Sequence, residues 1–258
     1  MKITSLLAKL PTSSKAFAST KYLDALLRYA TPEVHETSDE SDLDIQYERK
    51  QLLFNIILPL SKHSQCMEKI VQSRFVDVLL YYIAVPTSGG DTRRSNMSSM
   101  NNGIHLIKWM PNQIFSLQLQ IFSILFHIIP YCYTQFIQLQ GLQIVTKWLT
   151  VDNFLATNKN NSNEIKQATL RFLISFFNAM PNSKRSATPI PEGAELLGVL
   201  ISNCSKLVSC LFLELLGQAW SDEVLCDIIS VISLLLQFPA HKDLFFSEGI
   251  GALLPYLK

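Results

Sequence analysis

The sequence predicts an all-α protein whose helices stack side by side into an array, an α-solenoid. Long apolar runs recur along the chain, several of them end at proline, and polar stretches separate them. No segment alternates apolar and polar residues for long enough to form a strand. Apolar residues make up 48% of the 258 positions, enough for a continuous core.

Four apolar runs share one pattern, in which a single polar residue precedes one to three apolar residues and a proline. They are LLFNIILP, SILFHIIP, ISFFNAMP and SLLLQFP, ending at Pro59, Pro130, Pro181 and Pro239. Because proline cannot continue a helix, each run predicts a long helix that stops at the proline. The polar positions hold Asn55, His127, Asn178 and Gln237.

A shorter helix and then a middle helix are predicted after each stop. Gly141 and Gly249 lie at the junction between these two helices, and Arg74 takes that position in the first copy. Glycine suits a junction where φ turns positive or two backbones approach closely. The run Lys21–Ala30 predicts an earlier middle helix, and Cys204–Gly217 predicts an added helix without a counterpart.

The helix order indicates the repeat class. Units of about 40–47 residues with two or three helices are typical of armadillo and HEAT repeats. We therefore predict one armadillo/HEAT-like α-solenoid with long polar inter-helix insertions. The expected units are residues 1–60, 61–130, 131–181 and 182–258. The expected disordered insertions, rich in Ser, Asn, Gly and Pro, are residues 31–44, 86–103, 157–163 and 181–191.

The 38 residues from Trp109 to Thr146 contain no Asp, Glu, Lys or Arg, which also suits a membrane hairpin. A membrane helix needs about 20 mostly apolar residues, whereas Pro111 and Pro130 limit the first helix to residues 112–129. The stretch also holds seven glutamines, whose amides are costly in lipid without partners. We therefore predict a buried core and no membrane partner.

Charge and cysteine usage exclude several classes of function. With 22 basic and 21 acidic residues the formal net charge is +1, which gives no reason to expect a nucleic-acid partner. The five cysteines contain no C-x-x-C pair and the five histidines are scattered, so no metal site and no cofactor are expected. Lys9 and Pro11 interrupt the first apolar run, so no secretory signal is predicted and the expected location is the cytoplasm.

The order and spacing of several segments carry a resemblance. They are KYLDALLRYATPEV, ERKQLLFNII, SLQLQIFSILFHIIP with QGLQIVTKWL, and FFSEGIGALLPYL. Together they resemble the central region of the cilia- and flagella-associated protein 69 family. The resemblance implies a non-enzymatic armadillo-type scaffold of the motile ciliary or flagellar axoneme, a cytoskeletal location at the central apparatus, and axonemal protein partners, including microtubule-associated ones. Members of that family are much longer, and neither end of the chain carries a polar cap, so we expect a segment of a larger assembly.

In armadillo arrays the long helices line the concave face, so their polar positions are candidates for partner binding. These candidates are Asn55, His127, Asn178 and Gln237. Alternatively, each side chain bonds the backbone of a neighbouring helix and fixes the stacking. Lys147 and Trp148 are further candidates, the tryptophan either as an exposed anchor or as partly buried packing.

Two other functions are weighed against the scaffold. The first is a cytoplasmic armadillo-type adaptor that binds an extended peptide or a cargo protein. Nuclear import adaptors carry a tryptophan four residues before the polar position, whereas this chain has Gln51, Ser123, Ile174 and Ser233 there. The second is an enzyme built on Cys132 and His127, but no oxyanion donor or third residue accompanies them. We therefore expect no enzymatic activity.

Overall fold

The structure, a computed structural model, describes residues 7–19, 21–32, 40–85, 109–150, 159–179 and 221–237, and positions 4, 207, 211, 242 and 246. Every regular element of known bounds within these ranges is an α-helix, so the predicted all-α class is confirmed. The chain divides into two compact units. The first is Met1–Ile128 with Asn153–Asn161, and the second is Ile129–Asp152 with Ser162–Lys258.

The described helices follow one another along the chain as short, middle and long elements. They are α1 (Pro11–Ser19), α2 (Tyr22–Ala30), α3 (Glu40–Leu60), α4 (Ser64–Gln72), α5 (Phe75–Ala84), α6 (Pro111–Gln138), α7 (Gly141–Thr150), α8 (Lys159–Ala179) and α9 (Asp222–Leu235). The boundary between the two units falls within α6, after Ile128.

Two of the expected insertions are shorter than predicted. Helix α3 begins at Glu40 and α8 begins at Lys159, so the expectations for residues 31–44 and 157–163 were wrong at those positions. Acidic residues open α3, where they favour a helix N-terminus, and the sequence analysis treated them as loop. The insertions 86–103 and 181–191, together with Gly249, lie outside the described residues, and the unit boundaries remain a prediction.

Pro59 and Pro130 both lie inside helices. Pro59 is one residue before the end of α3, close to the predicted stop. The helical geometry breaks at Cys132, two residues after the stop predicted at Pro130, where φ is −126° and ψ is 17°, and α6 then continues as a second helical segment to Gln138. Proline lacks the N–H that bonds the preceding turn, and this missing bond produces a kink. Pro181 and Pro239 lie outside the described residues.

The three longest helices bury the same pattern of positions. In α3 the pattern is Lys50, Leu53, Phe54, Ile56, Ile57 and Leu60. In α6 it is Gln118, Ile121, Phe122, Ile124, Leu125 and Ile128. In α8 it is Lys166, Thr169, Leu170, Phe172, Leu173 and Phe176. Each pattern begins with a polar residue and continues along one stripe of the helix. The repeat register is therefore set by burial.

The polar residue that opens the pattern caps the preceding middle helix in the first unit. Lys50 Nζ donates to two carbonyl oxygens at the end of α2, 2.5 Å from that of Tyr29. Gln118 Nε2 donates in the same way at the end of α5, 3.0 Å from the Val85 oxygen. Because the last carbonyls of a helix lack intrahelical donors, each long helix completes the helix before it.

Helix α6 is long and apolar enough to cross a membrane by length and composition alone. In this structure 56% of its most apolar 18-residue stretch is buried inside the protein. The side chain of Gln118 is fully buried and bonds the backbone at the end of α5. The charge-free stretch therefore packs as a core helix here.

The junctions before the middle helices have the same backbone in both units. Arg74 precedes α5 and Gln140 precedes α7, each with a left-handed φ of 56°. The Arg74 N–H donates to the Val71 oxygen at 3.2 Å, and the Gln140 N–H donates to the Ile137 oxygen at 2.9 Å. The predicted glycine position was one residue late, because Gly141 is already the first residue of α7.

Gly141 is required by close packing, which gives a test of the second unit. A Cβ at this position would lie 2.6 Å from the ring of Phe136. We expect Gly141→Ala to lower the free energy of unfolding by about 1–3 kcal/mol through overpacking, although alanine alone favours a helix by about 0.5–1 kcal/mol. Urea unfolding followed by circular dichroism measures the change.

Phe136→Leu supplies the control in a double-mutant cycle with Gly141→Ala. A smaller side chain at 136 makes room for the new methyl group, so the two substitutions should couple favourably. An alanine variant as stable as the parent, or purely additive effects, would contradict the close contact.

The cap formed by Gln118 gives a second test. We expect Gln118→Leu to lower the free energy of unfolding by about 1–3 kcal/mol, because carbonyls at the end of α5 lose their donor. Gln118→Lys should cost much less, because lysine already holds this register position in α3 and α8. Chemical denaturation compares the two variants, and equal stability of the leucine and glutamine proteins would refute the capping role.

Candidate partner-binding surface

Polar side chains join two of the described helices within each unit. In the first unit Gln120 Nε2 on α6 donates to Asn55 Oδ1 on α3 at 3.4 Å. In the second unit Arg171 Nε on α8 donates to Asp227 Oδ2 on α9 at 3.3 Å. We call these two contacts the rungs.

The two rungs occupy equivalent register positions. Asn55 and Arg171 each lie five residues after the polar residue that opens the buried pattern of their helix. Helix α9 repeats most of that pattern with Ile228, Val231, Ile232 and Leu235. Gln120 on α6 and Asp227 on α9 then hold the same position relative to the buried pattern of their own helices. The same contact between long helices therefore recurs in both units.

The first unit presents a mostly uncharged face around its rung. Gln113 Nε2 on α6 donates to Asp44 Oδ1 on α3 at 2.9 Å, which ties the two helices together at a second point. Between the rung and the kink, Phe126 leaves 42% of its area exposed. Ser123 is also exposed. This face combines neutral polar groups and the Asp44 carboxylate with one large exposed aromatic ring.

The second unit presents a charged face around its rung. Arg171 reaches Glu223 as well as Asp227, with 3.7 Å between Nη2 and Oε2, and Gln167 Nε2 donates to Glu223 at 3.3 Å. Asp222 and Glu223 occupy the first turn of α9, where they complement the helix dipole. The Glu223 side chain is 80% exposed, so the ion pair adds little to stability and its carboxylate is accessible.

The family model described as cilia- and flagella-associated protein 69, armadillo repeat, matches residues 1–258. The chain belongs to this family. No curated protein matches it. Membership confirms the predicted resemblance and the armadillo-type fold class. The chain is thus a helical-repeat protein of a family associated with cilia and flagella, and armadillo repeats generally mediate protein–protein interactions.

The polar positions chosen from the proline pattern do not share one register position on their helices. Counted from the residue that opens each buried pattern, Asn55, His127 and Asn178 lie five, nine and twelve residues further on. Asn55 and His127 are half-buried, and Asn178 is exposed. Gln237 is exposed in the turn after α9. The role of these four residues in partner binding stays a prediction.

His127 lies half-buried beside the exposed aromatic ring of the first unit. Its imidazole packs edge-on against Phe126, with 5.4 Å between the ring centroids. Burial, and secondarily the positive charge of Lys62, lower the pKa of His127. The imidazole is therefore neutral at pH 7 and can donate or accept a hydrogen bond at the edge of this face.

Lys147 and Trp148 lie on different sides of α7. The lysine is exposed, whereas the tryptophan leaves only 8% of its area exposed. Counted from the left-handed junction residue, Trp148 is equivalent to Tyr82 of α5, whose buried hydroxyl donates to the Ala30 oxygen at 3.1 Å. The reading of Trp148 as an exposed anchor was therefore wrong, and the indole is a packing residue.

Phe126 is the residue that sequence reasoning missed. An apolar residue in an apolar helix is normally read as core, and the proline pattern drew attention to its neighbour His127. The repeated pattern of buried positions could have revealed it, because Phe126 lies outside the positions that all three long helices bury.

The buried thiol of Cys132 does not suit nucleophilic chemistry. Burial raises the pKa of Cys132 to about 12, so the thiol stays protonated at pH 7. The thiolate is the reactive form of cysteine. Within the described ranges, no group of three His, Cys, Asp or Glu side chains is placed to hold a metal ion.

Thiol accessibility gives a direct test of this arrangement. Cys226 on α9 is exposed, whereas Cys66 and Cys132 are buried. We expect a maleimide at neutral pH to label Cys226 in the folded protein and to spare the other two, because they are both covered and protonated. Peptide mapping by mass spectrometry identifies the labelled sites, and labelling in urea is the control. Selective labelling of Cys132 in the folded state would contradict the structure.

Proposed function

We propose that this chain is a non-enzymatic scaffold of the motile ciliary or flagellar axoneme, associated with the central apparatus. It binds protein partners through the outward faces of its long helices and works as part of a larger cytoskeletal assembly. The family match over residues 1–258 carries the proposal. Its partners are axonemal proteins, including microtubule-associated ones.

The face of the first unit supports a role in protein binding. Protein interfaces concentrate their binding energy in a few large side chains, often aromatic, surrounded by polar groups. Phe126 is such a side chain, on the same helix as Ser123 and as Gln120 of the Asn55–Gln120 rung. The neutral groups of this face can be buried against a partner without the desolvation cost of unpaired charges.

The chemistry of the described side chains supports a binding role over catalysis. The thiol weighed together with His127, Cys132, is held protonated by burial, with a pKa of about 12. The outward faces carry amides, hydroxyls and ion pairs, which suit recognition of a protein surface.

The alternative is a cytoplasmic armadillo-type adaptor that binds an extended peptide or a cargo protein. The acidic first turn of α9 favours it, because Asp222 and Glu223 are exposed and would attract a basic peptide. Pull-down of the chain by a basic nuclear-signal peptide, lost in Asp222→Lys with Glu223→Lys, would support the adaptor over the scaffold.

Localisation in a ciliated cell tests the scaffold directly. We expect a tagged chain to enter the cilium and to stay with the axoneme after detergent removes the membrane and soluble matrix. Phe126→Ser should reduce the retained fraction severalfold, because one aromatic contact contributes about 1 kcal/mol or more at an interface. Immunofluorescence and blotting of the extracted axonemes measure retention.

Tyr131→Ser is the matched control, since this ring is also large and is 60% exposed but lies in the second unit. Circular dichroism verifies that both variants fold. A chain that washes out with the detergent-soluble fraction would refute the axonemal proposal. Equal retention of Phe126→Ser and the parent would refute the role of the first unit's face.

A further inference from the structure

Positive charge is concentrated at the start of the chain. The first 32 residues contain five lysines and arginines and a single acidic residue, Asp24, although the whole chain has a net charge of only +1. The remaining residues are therefore net acidic. This asymmetry separates the start of the chain from the faces of the long helices described above.

Helix α2 gathers part of this charge into one exposed surface. Lys21, just before the helix, and Arg28 form one row two turns apart, and Tyr22 and Tyr29 form a second row beside it. The tyrosines leave 47% and 64% of their area exposed. The opposite side of the helix packs Leu23, Leu26, Leu27 and Ala30 into the core. We call Lys21, Tyr22, Arg28 and Tyr29 the basic–aromatic face.

The basic–aromatic face is held in place at both ends. At its start the ring of Tyr22 packs against Phe17 at 5.6 Å, and its hydroxyl lies 3.4 Å from Thr4 Oγ1. At its end Lys50 bonds the backbone carbonyl of Tyr29 at 2.5 Å. A surface whose backbone is already ordered loses less entropy when it binds a partner.

The two cations of this face are available to a partner. Across the described stretches of the chain, neither Lys21 nor Arg28 has a carboxylate within 4 Å, and both side chains are exposed. Asp24 is also exposed, and it lies three residues after Lys21 and four before Arg28, beside the row of cations and away from the tyrosines. The exposed Lys9 and Lys15 add further positive charge in the preceding segment.

From this geometry we propose that the basic–aromatic face binds an acidic, extended polypeptide segment. Lysine and arginine form charge-assisted hydrogen bonds with carboxylates, and tyrosine hydroxyls donate to them as well. A nine-residue helix is about 13.5 Å long, which matches about four residues of an extended chain. Alternating glutamates could therefore reach both Lys21 and Arg28.

The observations favour a peptide over larger polyanions. Nucleic acid and anionic membranes attract proteins through many cations at once, whereas this face carries two and the chain is nearly neutral. A short acidic segment needs only local complementarity. The proposal does not rest on the axonemal assignment, because it concerns a different surface and a different test.

Fluorescence anisotropy with a labelled poly-glutamate peptide tests the proposal on the full chain. We expect saturable binding at low salt that weakens as salt rises, because exposed ion pairs are screened. Lys21→Glu with Arg28→Glu should weaken binding at least about tenfold, a change of about 1.4 kcal/mol. Tyr29→Ala should weaken it by a smaller factor.

Lys62→Glu with Lys242→Glu is the matched control, because it changes the net charge equally at exposed lysines outside the face. This variant should bind within about twofold of the parent, a change of about 0.4 kcal/mol. Absence of peptide binding, or equal losses in the two double variants, would overturn the proposal. Binding to anionic lipid vesicles or to single-stranded RNA without binding to the peptide would also overturn it. Circular dichroism checks that every variant folds.

Discussion

The arrangement of the first unit depends on a polar side chain that each long helix buries against the end of the middle helix before it. Lys50 does this for α2 and Gln118 does it for α5. A buried polar group without a partner is costly, so each of these residues admits one register between its helix and the preceding one. The apolar residues that follow at fixed spacing then face the core. One hydrogen-bonding requirement thus orients a whole long helix.

The outward surface is a consequence of that register. Once the buried stripe is fixed, the opposite side of the helix faces solvent, and the positions that meet the next long helix are fixed as well. The Asn55–Gln120 and Arg171–Asp227 contacts therefore recur at equivalent places with different chemistry. An array built in this way can change the charge of its surface from unit to unit without disturbing its core.

The fold class was predictable from sequence, while the register was not. Apolar runs without strand alternation identify long helices, and the recognisable segments led to the correct family. The prolines were a poor guide to the alignment of the repeats. After Pro59, three turn residues separate α3 from α4, whereas after Pro130 the chain kinks at Cys132 within α6. Turn length and kink geometry depend on tertiary packing that no local pattern records.

The candidate site was harder to predict than the fold, for a related reason. A lysine in an amphipathic helix is normally read as exposed, yet Lys50 is 6% exposed and Lys166 is 2% exposed. A tryptophan beside a lysine suggested an exposed anchor, yet Trp148 fills the core position that Tyr82 holds in the first unit. Whether a side chain faces the core depends on the register of its helix. A wrong register therefore also gives the wrong set of exposed residues for the candidate site.

Hydrogen exchange in a Lys50→Met variant tests the central claim most directly, because methionine keeps the apolar stem and removes the ammonium group. If the long helix secures the helix before it, the amides in the last turn of α2 should lose protection while those of α4 and α5 keep theirs. Mass spectrometry of peptic peptides resolves these segments. Unchanged or increased protection in α2, or an equal loss throughout the first unit, would contradict the account.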